Sequence, residues 1–96
     1  MITHTVFFTL TFPKGSVEEK EFFDAASKLA IIPGVTRFDR VRQISTKNTF
    51  AYGLTMQFST QDLYTAYTNH PDHTQFVKTY WSNYVADFME IDYISF

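Results

Sequence analysis

The 96-residue chain has no cysteine, no excess of basic residues and no long apolar run, and each absence removes a class of protein. Without Cys there is no disulfide framework, no thiolate nucleophile and no thiolate zinc site, and cysteine usage says nothing about the redox compartment. Eight Lys and Arg against ten Asp and Glu leave a formal charge of −2, so no basic field draws nucleic acid or an anionic membrane. No window approaches the ~18 apolar residues of a membrane span, and Met1 to Phe12 lacks a charged start followed by a continuous apolar stretch. The expectation is a cytoplasmic protein. There is no internal repeat and no low-complexity segment, and residues 1–96 read as a single domain. What the chain does have is aromatic mass: 11 Phe, 6 Tyr and 1 Trp are more than one small core comfortably hides, which predicts an oligomer.

Periodicity divides the chain into seven elements. Thr3 to Phe12 alternates as a strand, with His4, Val6, Phe8 and Leu10 on one side and Thr5, Phe7 and Thr9 on the other. After Pro13-Lys14-Gly15, Ser16 and Glu19 form a capping box, and Phe22, Ala26 and Leu29, with Phe23 and Ala30 beside them, give the following helix its apolar stripe. Pro33-Gly34 stops that helix. Val35 to Ile44 reads as a partly exposed or edge strand, because Arg37, Asp39, Arg40 and Arg42 interrupt Phe38 and Val41. Across the polar turn Ser45 to Asn48 it forms a hairpin with Phe50 to Phe58. Ser59 to Asp62 caps a second helix with Leu63, Ala66 and Tyr67 inward, His70-Pro71 breaks it, and a third helix runs from Asp72 to about Tyr84 with an aromatic stripe. Phe88 to Phe96 is the last strand, with apolar residues on both sides. The order is β-α-β-β-α-β with an extra short helix, an α+β ferredoxin-like arrangement with a four-stranded antiparallel sheet. Helices cover one face of such a sheet. Phe7 and Met89 face away from them and call for a second cover, which a twofold partner laying its own sheet against this one supplies.

Three segments carry a likeness to a known family: Ile2 to Phe8, Ile31-Ile32-Pro33-Gly34-Val35, and above all Tyr67-Thr68-Asn69-His70-Pro71-Asp72-His73, followed by Asp92-Tyr93. With these motifs the chain resembles the stress-responsive dimeric α/β-barrel (Dabb) family over essentially its whole length. The resemblance implies a ferredoxin-like protomer that dimerises through its sheet. It is similar, more distantly, to the olivetolic acid cyclase-type polyketide cyclases. There the tyrosine and second histidine of Tyr-x-x-His-Pro-x-His act together, which implies Tyr67 and His73 as the catalytic pair here. His4, Phe22 and Phe23 match positions that line that type's pocket. Tyr52 stands where a strand-three histidine is often found, and Glu90 where an apolar pocket residue is expected.

The residues themselves support a concrete chemistry. His73 falls in the first turn of a helix begun by Pro71, where the dipole disfavours an imidazolium. A neutral imidazole there can take a proton α to a carbonyl while Tyr67 hydrogen-bonds the developing enolate oxygen, with no metal or other cofactor. The plainer alternative is that the two bond each other or the backbone and fix the helix break. His70 and His73 are three apart, but Pro71 between them speaks against a shared metal, and none is expected. A pocket between sheet and helices is expected to draw on His4, Phe8, Phe22, Phe23, Leu54, Met56, His70 and Phe76, with Ala26, Gly53 and Ala66 leaving it room, unless these side chains simply interdigitate as core. The first expectation is therefore a homodimer binding a small apolar or aromatic organic molecule. Alternatives are a cofactor-free cyclase or isomerase with His73 as base and Tyr67 as donor, a cofactor-free monooxygenase, and a structural stress-related protein without an open pocket. No nucleic acid or membrane partner is expected.

Overall fold

The structure, a computed structural model, describes all 96 residues. Its elements are β1 (Ile2–Leu10), α1 (Val17–Ser27) tightened at its end into a 3-10 turn (Lys28–Ile31), β2 (Thr36–Arg42), β3 (Tyr52–Phe58), α2 (Gln61–Asn69), α3 (Pro71–Phe76) and β4 (Val85–Tyr93). A π turn (Val77–Trp81) and a short helical turn (Ser82–Tyr84) carry α3 on to β4. The four strands form one antiparallel sheet in the order β2-β3-β1-β4, and the helices lie on one side of it. This is the ferredoxin-like α+β fold.

Local chemistry explains the boundaries. The Ser16 hydroxyl accepts from the Glu19 N–H and the Thr60 hydroxyl from the Leu63 N–H, so α1 and α2 each begin at a side chain that satisfies an otherwise unpaired donor. Gly34 adopts φ +92 in the turn after Pro33, and Leu63 packs close against it. Phe22 and Ala26 of α1 and Leu29 of the 3-10 turn face inward with Phe8, Leu54, Met56 and Phe58 of the central strands, all of them buried in one core cluster.

Several boundaries differ from those read in the sequence. β1 stops at Leu10, where its register with β4 shifts, and the Thr11 N–H turns to the Tyr84 carbonyl. β4 begins at Val85, three residues before Phe88, because Val85 pairs with Leu10. β2 is shorter at both ends and irregular between Thr36 and Asp39, with Arg37 at φ 48. In α2 it is Tyr64 that turns inward, stacking on Phe58 with ring centroids 4.9 Å apart, while Ala66 is exposed. Ala30 is exposed too, since the 3-10 turn rotates it off the apolar stripe. Gly53 opens no space toward the helices. A side chain there would meet Phe7 and Val41 on the outer sheet face.

Candidate functional site

Between β1, β3 and β4 on one side and α3 with its π turn on the other lies a cavity of about 330 Å3. Its wall is mostly apolar: Val6, Leu29, Leu54, Met56, Phe76, Val77, Trp81 and Phe88, with Tyr67 adding a phenol ring. The π turn shapes one side of it. One extra residue in the turn lets the Ser82 hydroxyl donate to the Val77 carbonyl at 2.9 Å, and Val77 and Trp81 both reach the cavity wall. Trp81 closes edge-on over Phe88 at 5.5 Å between centroids.

Four polar side chains interrupt this wall: His4, Tyr67, His73 and Glu90. Sheet register sets two of them. His4 lies directly across from Asp92 and Val6 across from Glu90, so both carboxylates share the helix-facing side of the sheet with the buried His4. His4 Nδ1 is 2.6 Å from Asp92 Oδ1 and 2.9 Å from the Tyr64 hydroxyl, which itself donates to Asp92 Oδ2 at 2.7 Å. A carboxylate only accepts, so neutral His4 carries its proton on Nδ1 and keeps Nε2 as the free nitrogen. Burial first, and then the bond to Asp92, push the Tyr64 phenol well above its ordinary range.

His73 is held in the same manner from the opposite wall. Its Nδ1–H donates to the Thr68 carbonyl at 2.9 Å, which again leaves Nε2 as an acceptor. Burial lowers its pKa, opposed by the Thr68 bond, so the imidazole is favoured over the imidazolium. The physical cause is mainly desolvation rather than the helix dipole invoked from the sequence. The Tyr67 ring packs against His73 at 4.5 Å between centroids. Burial, followed by the Glu90 charge, raises the Tyr67 pKa, and no hydrogen bond contributes, so its hydroxyl stays protonated without a partner in the protein. The two residues therefore do not bond each other. They pack side by side on one cavity wall.

Of the residues singled out in the sequence, His4, Leu54, Met56, Tyr67, His73 and Phe76 line this cavity. Four do not. Phe8 and Phe22 are fully buried in core packing, their rings in contact at 5.3 Å. Phe23 faces a separate surface recess bordered by Glu19, Arg40 and Tyr52, with the Arg40 guanidinium 5.9 Å from its ring centre. His70 caps α3: its Nδ1 accepts from the Asp72 N–H at 3.1 Å, so Pro71 separates two histidines with unrelated tasks. Asp92 and Tyr64 went unrecognised as partners of His4, since only the β1–β4 register brings residues 88 apart in sequence together. Glu90 was visible as an exception to the apolar pattern. His4, Glu90 and Asp92 offer ligand atoms within 4.8 Å of one another, but His4 Nδ1 and both Asp92 oxygens are already hydrogen-bonded, which makes the group an oriented imidazole rather than a ready cation cage.

Residues 2–95 match the family model described as Stress responsive A/B Barrel Domain. The chain belongs to the Dabb family. This Dabb protein is 47% identical to a Dabb-family protein of ferredoxin-like fold from Mesorhizobium loti, over 99% of this chain and 96% of that one, with a TM-score of 0.96. The fold recurs in a dimeric ferredoxin-like protein of unknown function from Thermobifida fusca, at 20% identity over 96% of this chain and 88% of that one and a TM-score of 0.77. It recurs again in the hydroxynitrile lyase of Passiflora edulis, at 13% identity over 98% of this chain and 92% of that one and a TM-score of 0.84. No functionally curated protein matches the chain in sequence.

Proposed function

We propose that this Dabb protein is a homodimer that binds a small organic molecule, apolar or aromatic in its body, in the cavity between β1, β3, β4 and α3. The observation that carries this reading is the Tyr67 hydroxyl, which belongs to a buried side chain, borders an apolar cavity of about 330 Å3 and has no partner within the protein. The hydroxyl is not sealed in the protein but opens onto accessible space, where a ligand can reach it, and a cavity of this size lies at the lower end of the ~300–1,000 Å3 of small-molecule sites. A Val77→Phe variant, filling the cavity from the π turn, tests it with a panel of aromatic ketones, phenols and amines in thermal-shift titrations. Binding raises Tm in the parent protein and leaves it unmoved in Val77→Phe. A panel that moves neither protein, or both equally, sinks the reading.

A second reading, that the protein is a cofactor-free enzyme, is favoured by the state of His73. An imidazole kept neutral by burial, with its proton pinned on Nδ1, presents Nε2 as a base beside a protonated phenol. His73 would take a proton α to a ligand carbonyl, and Tyr67 would donate to the enolate oxygen as charge develops there. Solvent deuterium exchange into an aryl ketone, followed by NMR, reads this step directly. Tyr67→Phe and His73→Ala are expected to lower the rate ~10²-fold or more while ligand still binds. Full exchange in either variant would remove the enzymatic role and leave the binding role standing.

A further inference from the structure

The polar groups on the cavity wall share one property. His4 and His73 each commit Nδ1–H to an acceptor elsewhere in the protein, Asp92 in one case and the Thr68 carbonyl in the other, so each ring, in its neutral form, offers Nε2 as a lone pair. Glu90, when ionised, only accepts. It takes part in none of the ion pairs, and no Lys or Arg lines the cavity. The donors are two, the Tyr67 hydroxyl and the Trp81 indole N–H, and neither carries charge. The remaining wall is rich in ring faces, with Trp81, Phe76, Phe88 and Tyr67 around the same space. A carboxylate or phosphate ligand would find three acceptors against two neutral donors there, no cation, and the Glu90 charge beside it. A ligand that donates several hydrogens and carries positive charge meets partners on every side, since carboxylate, imidazole lone pairs and aromatic faces all attract a cation.

We infer that the ligand of this cavity is an organic amine: a protonated primary amino group held by Glu90 and an imidazole Nε2, on an aromatic or aliphatic body packed against Trp81 and Phe76. The inference rests on the proposed binding role of the cavity and narrows its chemical class. Glu90 is the selecting residue. It stands on β4 at the open side of the cavity, where water screens it, so its preference is modest and falls with ionic strength.

The test compares three probes of one shape, 2-phenylethylamine, 2-phenylethanol and phenylacetate, by isothermal titration at neutral pH in the parent protein, in Glu90→Gln and in the cavity-filled Val77→Phe. The expected order is amine, alcohol, acid, with the amine about tenfold tighter than the alcohol. In Glu90→Gln that advantage falls to about one while alcohol affinity holds, and Val77→Phe binds none of them. Equal affinity for amine and alcohol in the parent protein overturns the amine inference and leaves the binding role intact. Failure of all three probes overturns the amine inference, and the binding role falls with it when the thermal-shift panel also moves neither protein. A fourth titration with Zn2+ alone, in chelator-stripped protein, covers the competing use of His4, Glu90 and Asp92: zinc binding that excludes the amine assigns these acceptors to a metal and overturns the inference.

Discussion

At the scale of single residues the cavity is governed by where protons are pinned. His73 shows the consequence for stability. Its folded pKa is depressed, chiefly by burial, below the 6.5 of an unfolded histidine, so the unfolded chain binds the proton more readily. The sign follows by linkage: stability is fully present above the unfolded value and is lost as pH falls through the depressed folded one. Tm should therefore decline as pH is lowered from 7 toward 5, beyond the decline carried by other groups. Thermal melts of His73→Asn, whose amide N–H2 can still donate to the Thr68 carbonyl, should show a flatter profile over the same range. An unchanged slope would mean that His73 is not desolvated in solution.

At the scale of elements the same motif divides its labour. His70 and His73 look equivalent in the sequence, but the break at Pro71 makes the first a helix cap and the second a cavity residue. His70→Asn keeps a capping acceptor and should leave stability within a few tenths of a kcal/mol, whereas His70→Ala should cost ~1 kcal/mol in denaturant melts. Neither should alter ligand affinity, and a large loss in His70→Asn would return His70 to the site. A second test belongs to the outer sheet face. A Cβ on Gly53 would lie 2.6 Å from Phe7 ring carbons and 2.8 Å from Val41, so Gly53→Ala should cost ~1–3 kcal/mol by overpacking. Adding Phe7→Leu should restore part of it, and a double-mutant cycle without coupling would show that ring and glycine do not meet.

What the sequence made legible at this scale follows from range. The alternation of His4, Val6 and Phe8, the capping serine and threonine, and the Pro33-Gly34 stop are local signals, and the elements they announce are there. The β4 start was obscured because Trp81 and Tyr84 continue a helical spacing that pairing of Val85 with Leu10 overrides. The candidate site was legible where one residue carries the signal, as at Tyr67 and His73, which both stand on the cavity wall. It was hidden where a signal needs two distant strands in register, as in the Asp92–His4–Tyr64 network.

At the scale of the whole molecule the protomer is a slab of 36 × 31 × 17 Å, one sheet deep and one helix layer deep. The helices cover one side. On the other, Met89, Ile91 and Tyr93 stand about half exposed along β4, opposite Phe7, Thr5 and Thr3 of β1. A face of this extent can supply the ~800 Å2 per partner of a stable protein interface, and at ~25 cal/mol per Å2 of apolar surface its burial outweighs any single contact within the protomer. In the proposed homodimer a twofold copy, sheet against sheet, would cover it with no new element. Ile91 is the residue to charge, because it is 47% exposed and its backbone carbonyl, which accepts the Thr5 hydroxyl, is unaffected by substitution. In light scattering at micromolar concentration the parent protein should have the mass of two chains. Ile91→Arg should have the mass of one, with the same far-UV circular dichroism and a lower Tm that no longer depends on protein concentration. A parent protein of one-chain mass would overturn the homodimer. A variant that stays a dimer would move the interface off this face and leave Met89 and Tyr93 to be covered by something other than a second copy.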